Sequence, residues 1–232
     1  LDGFVGITWD LGTETLNLGL AVYTPFTDLS SYATTGPMRF HEQHQTFATL
    51  EETLAGAWQI ERQDLGLRGG LQDQYASVFG GFNFIEFEAE RTIVNPLRIP
   101  EDVVDELEAS LMLCFTGETR ASDRLIQDQT TRYEARSPET LAGLRAQKKL
   151  VPEMKDALLR GHLVRFGELL GSAWEAKRRM SPHISNGFID SIYEAAKRAG
   201  ALGGKVTGAG GGGFILFAVL FHRRHLVAEA LA

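Results

Sequence analysis

Ten residues constrain this chain more than any other stretch: Lys205-Val206-Thr207-Gly208-Ala209-Gly210-Gly211-Gly212-Gly213-Phe214. Six of the ten are glycine or alanine. Backbone almost free of Cβ atoms can adopt positive φ and approach a ligand closely. Its N–H groups can converge on an anion. An amphipathic helix runs into the segment, and the apolar run from Phe214 to Leu220 leaves it. Linkers are not usually set between a helix and a buried strand, so the segment reads as a loop with work to do at a site.

The bulk properties narrow the setting. At 232 residues the chain can bury a real core as one large domain or two small ones. A content of 44% hydrophobic and 23% charged residues is ordinary for a soluble protein. A net charge of −7 argues against a nucleic-acid partner, which calls for a basic excess. The single cysteine, Cys114, excludes an intrachain disulfide and fits a reducing, cytoplasmic setting. It lies in Ser110-Leu-Met-Leu-Cys-Phe-Thr116 and reads as a buried strand residue. No apolar run is long enough to span a membrane. The chain begins with Leu1 rather than Met, which leaves open an upstream N-terminus and any targeting signal there.

Residues 1–45 read as β-rich and irregular, with alternation from Thr13 to Tyr23 predicting a strand. Thr49 opens a helix that runs out near Leu65, and Gly69-Gly70 is a turn. A short helix is expected over Gln72–Phe79, then strands at Phe82–Phe87 and Arg91–Ile99. Pro100-Glu101-Asp102 starts another helix, with acids at its positive end. Leu111–Phe115 is a strand. Helices follow over 119–134, 138–160 (kinked by Pro152), 162–179 and 186–199, then Gly-rich backbone, the Phe214 strand and a last helix from about His222. The order implies an α+β fold with helices packed on a sheet, divided near Pro100 into residues 1–100 and 101–232.

A second stretch, Gly69-Gly70-Leu71-Gln72-Asp73-Gln74-Tyr75, sets an aspartate just after two glycines. Such a carboxylate can accept a hydroxyl proton or hold a cation. It can equally be the N-cap of its helix. Glu61, twelve residues upstream, could flank the same Mg²⁺–phosphate site as Asp73, or be a solvated helix residue paired with Arg62.

Four segments together resemble the GHMP kinase superfamily, and within it the D-glycero-D-manno-heptose 7-phosphate kinase group. They are Gly70-Leu-Gln-Asp-Gln-Tyr-Ala76, Phe79-Gly-Gly-Phe-Asn-Phe-Ile-Glu-Phe87, Phe115-Thr-Gly-Glu-Thr-Arg120 and Gly203 to Phe214. The resemblance covers about residues 50–232. It implies a two-domain α+β fold, with a partial N-terminal domain like ribosomal protein S5 domain 2 and a ferredoxin-like C-terminal domain. It implies transfer of phosphate from ATP, with Mg²⁺, to the anomeric hydroxyl of a heptose 7-phosphate, in nucleotide-activated heptose biosynthesis for surface polysaccharide. Asp73 matches the catalytic aspartate and Glu61 the Mg²⁺-ligating glutamate. Gly208, Ala209, Gly210, Gly211 and Gly212 match the third family motif, beside the phosphates. Gln72, Thr119 and Arg120 are the substrate-binding candidates, Arg120 for the 7-phosphate; Arg120 could equally pair with Glu118 or Asp123. Lys205, preceding the loop, reads as structural or peripheral. A monomer or homodimer is expected.

The chain also departs from that pattern. Residues 1–48 contain no Gly-Leu-Gly-Ser nucleotide loop and no Arg-Ile-Ser-Phe-type substrate segment. Three origins are consistent with this: omitted residues, a truncated or recombined product, or a divergent protein that has lost activity. The alternative to a kinase is a sugar-phosphate-binding or regulatory module, or a subunit whose interface buries Phe82, Phe84 and Phe87. A further resemblance, four residues deep, links Asp10, Gly12 and Thr13 to the first phosphate loop of the actin, sugar-kinase and Hsp70 superfamily.

Overall fold

The computed structural model describes residues 50–66, 69–117 and 122–232, together with the backbone of four strands before them. Those strands are β1 (Val5–Ile7), β2 (Leu20–Val22), β3 (Asp28–Tyr32) and β4 (Glu42–Phe47). They pair antiparallel as β1–β2 and β3–β4. Of the strand expected over Thr13–Tyr23, Leu20–Val22 is observed; residues 13–19, like Asp10 and Gly12, lie outside the described residues.

Helix α1 (Leu50–Trp58) passes directly into a π-helical turn, Gln59–Asp64. Helix α2 (Gln72–Phe79) follows and leads into the antiparallel hairpin β5 (Asn83–Phe87) and β6 (Thr92–Pro96). The hairpin packs against α2 through aromatics: Tyr75 of α2 meets Phe87 edge-on, ring centroids 5.2 Å apart. Phe84 and Phe87 are buried and Phe82 is partly buried against the core. Phe84 and Phe87 are therefore buried within the chain itself and are not left for a subunit interface to bury.

Helix α3 (Glu101–Ser110) has Pro100 as its N-cap and two acids in its first turn, where the helix dipole favours them. Strand β7 (Leu111–Phe115), helices α4 (Ser122–Glu134), α5 (Pro138–Leu159), α6 (Leu163–Arg178) and α7 (Gly187–Ala199) come next. Asn186 caps α7, its Oδ1 accepting from the N–H groups of Phe188 and Ile189 at 3.0 and 2.9 Å. Gly200, at φ 112°, ends that helix. Strands β8 (Ala201–Val206) and β9 (Phe214–Val219) and helix α8 (Arg224–Leu231) complete the order.

Strands β7, β9 and β8 form one antiparallel sheet in that order, β9 central, and the fold is α+β. The sheet separates two apolar clusters. Leu216 and Ala218 of β9 face Phe166, Leu169 and Leu170 of α6, Met154 of α5, Leu107 of α3 and Phe84 of β5. Ile215, Phe217 and Val219 face Trp174, Ile189, Tyr193 and Val227.

Strand β8 was not expected: residues 201–206 read as irregular Gly-rich backbone. Its two central residues, Gly203 and Gly204, carry no side chain, so they give no strand alternation to read. Contact, not propensity, makes this strand. A Cβ built on Gly203 would lie 2.1 Å from the carbonyl oxygen of Gly167 and 2.7 Å from the amide nitrogen of Gly171. Helix α6 thus rests backbone to backbone on β8. Cys114 is also less buried than expected: it is half-buried in the edge strand β7, and partial burial raises its thiol pKa.

Candidate active site

The described residues place the candidate side chains in two groups. The first is built on the turn between α1 and α2. The sequence predicted one helix to Leu65, but the last turn widens to π geometry, which re-aims the side chains it carries. Glu61 and Arg62 both lie in that turn. The Arg62 guanidinium donates to the carbonyl of Gly70, and a Cβ on Gly69 would stand 2.7 Å from its Nη1. The Arg62 guanidinium thus lies across Gly69. Glu61 Oε2 accepts from Nε2 of Gln74, and Oε1 sits 3.6 Å from Arg62 Nη1. Glu61 is thus paired with Arg62, and it is also brought against the helix that carries Asp73.

Asp73 is not the N-cap of α2; Leu71 holds that place without a side-chain bond. Asp73 lies in the first turn and is exposed, while its neighbours Gln72 and Gln74 are 2% and 3% exposed. Two buried amides on either side lock the helix rotation and turn the carboxylate outward. The helix N-terminus adds a positive partial charge beside it.

The second group surrounds the Gly loop. Val206 pairs with Ile215, and Thr207 N–H donates to Phe214 C=O at 2.8 Å, closing the loop's base. Thr116, at the end of β7, donates its N–H and its hydroxyl to the carbonyl of Gly213 at 2.8 and 2.9 Å. Gly211 N–H is committed to the carbonyl of Ile184 at 2.9 Å. At Gly208 (φ 66°) and Gly213 (φ 88°) a Cβ would meet nothing within 4 Å. Packing does not demand glycine there; left-handed backbone does.

Two lysines lie beneath this loop, Lys177 of α6 and Lys205 of β8, each 1% exposed. Lys205 is not peripheral. It lies on the β8 face that meets α6, two residues on from Gly203. Burial, and then the charge of Lys177, hold its amine well below the ordinary lysine pKa. Lys177 donates to the carbonyl of Gly208. Sequence reading missed Lys177, yet a signal was present. It falls in step with Phe166, Leu170, Ala173 and Trp174 on the buried stripe of α6, where an apolar residue is expected.

Thr119 and Arg120 lie outside the described residues. Among those described, no group of three or more His, Cys, Asp or Glu side chains could hold a metal, and no helix is long and apolar enough to cross a membrane.

Residues 154–232 match the family described as GHMP kinases C terminal. The chain is 40% identical over 176 residues to the D-glycero-alpha-D-manno-heptose 7-phosphate kinase of Campylobacter jejuni, covering 75% of this chain and 51% of that protein. It superposes on a D-glycero-D-manno-heptose 1-phosphate kinase structure from Bacteroides thetaiotaomicron with a TM-score of 0.56 and 37% identity, over 78% of this chain and 48% of that one. The mevalonate kinase of L. major, at 20% identity and a TM-score of 0.62 over 79% of this chain and 54% of that one, shares the fold. The chain thus spans about half the length of the relatives it matches.

Proposed function

We propose that the chain, whose residues 154–232 match the GHMP kinase C-terminal family, forms the catalytic and C-terminal part of a sugar kinase acting on the anomeric hydroxyl of a heptose 7-phosphate. The observation that carries this reading is Asp73: an exposed carboxylate in the first turn of α2, fixed by two buried glutamines. In the proposed reaction the sugar hydroxyl oxygen bonds to the γ-phosphorus of ATP, and the bond from that phosphorus to the bridging oxygen breaks. Asp73 orients the hydroxyl and takes its proton. Thr119 and Arg120 are the substrate contacts we assign; Gln72, 2% exposed, holds α2 in place and is not among them.

The donor set suits magnesium in a limited way. Mg²⁺ is usually held by one or two carboxylates plus substrate phosphates rather than by a full protein cage. Glu61 offers one carboxylate, already oriented by Gln74 and Arg62. The ion would neutralise charge developing on the transferred phosphoryl group. Residues 1–48 hold no counterpart of the family's nucleotide loop, so the phosphate contacts assigned to this chain are those of the loop 208–213. Gly211 supports that loop through Ile184 and is left out of the donor set. A cytoplasmic location and function as a monomer or homodimer complete the reading.

The test is phosphoryl transfer from MgATP to heptose 7-phosphate, with sugar and nucleotide binding measured separately by calorimetry. Asp73→Asn should lower turnover by about 10²- to 10⁴-fold with sugar binding retained. Parent-like turnover in that variant would remove Asp73 from the chemistry. Binding of sugar phosphate without MgATP would replace the kinase with a binding module.

A further inference from the structure

We infer that Lys177 is a positioning residue: it sets the orientation of the Gly208–Ala209 peptide and so makes the Ala209 N–H a phosphate donor. The inference rests on the kinase reading for the identity of the ligand. The orientation itself stands on the contacts alone. Lys177 is in the last turn of α6, 1% exposed, on a stripe whose other members are apolar. An ammonium held there lacks bulk water, so its partners must come from the protein. One is the carbonyl of Gly208. A trans peptide is planar, with its C=O and N–H on opposite sides. Drawing the Gly208 carbonyl toward α6 therefore turns the Ala209 N–H away from α6.

Three features make this orientation a fixed one. Gly208 sits at φ 66° with open space where a Cβ would be, so the lysine contact, and not side-chain packing at Gly208, fixes the peptide that follows. Helix α6 cannot slide, because Gly167 rests on Gly203 backbone to backbone. Past Ala209, the loop is tied by Gly211 N–H to Ile184 and by Gly213 C=O to Thr116. The loop is thus anchored through a lysine at its start and through backbone at its end. A preorganised amide of this kind needs no rearrangement when charge develops on the phosphoryl oxygens.

The test uses the ¹⁵N-labelled full-length protein and its Lys177→Met and Lys177→Arg variants, with MgAMP-PNP as the probe. In the parent, the Ala209 amide should shift downfield on adding MgAMP-PNP. In Lys177→Met that shift should vanish, amide exchange at Ala209 should quicken, and kcat should fall about a hundredfold with KM for the sugar within about twofold. Lys177→Arg, which keeps a cationic donor, should restore most of the shift. A shift retained in Lys177→Met, or shifts in the parent that spare Ala209, would overturn the inference. If the parent shows no nucleotide shift anywhere, the kinase reading and the phosphate role fall together. The orienting role is then read from amide exchange at Ala209: faster in Lys177→Met supports it, unchanged sinks it. Should Lys177→Met fail to fold, the parent's response at Ala209 decides.

Discussion

Asp73 and Lys205 are both charged residues that follow a pair of glycines, and the fold treats them oppositely. Asp73 is turned outward by the buried side chains of Gln72 and Gln74. Lys205 is turned inward, where burial and the charge of Lys177 favour its neutral form. Its lowered pKa has a sign that can be followed. Below the ordinary lysine value of 10.5 the unfolded chain binds more protons at this site than the native one. Stability therefore rises with pH across that window and is lost again as pH falls. In Lys205→Met this contribution is absent. Thermal melts should show a smaller gain in Tm between neutral pH and about pH 10 than the parent shows. An equal gain in both would mean that Lys205 keeps its proton on folding. The sequence could show neither treatment. Charge and spacing mark Asp73 and Lys205 alike, and only the rotation of α2 and the face of β8 separate them.

Among elements after residue 50, the helices were legible and one strand was not. Helix α2 and strand β7 fall on the residues that periodicity assigns, and α7 begins and ends at a capping asparagine and a left-handed glycine. The π-helical turn after α1 escaped because widening by one residue leaves hydrophobic spacing almost unchanged. Strand β8 escaped because Gly203 and Gly204 are there for what they omit. A Cβ on Gly204 would lie 2.4 Å from Cδ1 of Phe217, and one on Gly203 would strike the carbonyl of Gly167. Gly203→Ala should cost about 3 kcal/mol or more, because backbone and not a flexible side chain must give way. Urea denaturation would read the cost directly. A loss below about 1 kcal/mol would show that α6 can lift from the sheet.

Across the described residues, one apolar cluster spans the boundary suggested near Pro100. Phe84, before it, packs in one cluster with Leu107, Met154 and Phe166, after it, and Lys155 lies over the Phe84 ring at 4.1 Å from the centroid. Phe84→Ala should therefore cost about 3 kcal/mol. Far-UV and near-UV circular dichroism should still report a single shared transition. Two separated transitions would instead mark two independent units. The contact between α6 and β8 has a further consequence for how this chain can vary. Gly167 is limited by the Cβ atoms of Leu202 and Ala218, each 2.9 Å from where its own Cβ would stand, and those neighbours can be exchanged. Gly203 is limited by a carbonyl oxygen that every amino acid possesses. In a combinatorial library, position 167 can drift when 202 and 218 drift with it. Position 203 has no partner to bargain with, and stays glycine in every background that keeps the fold.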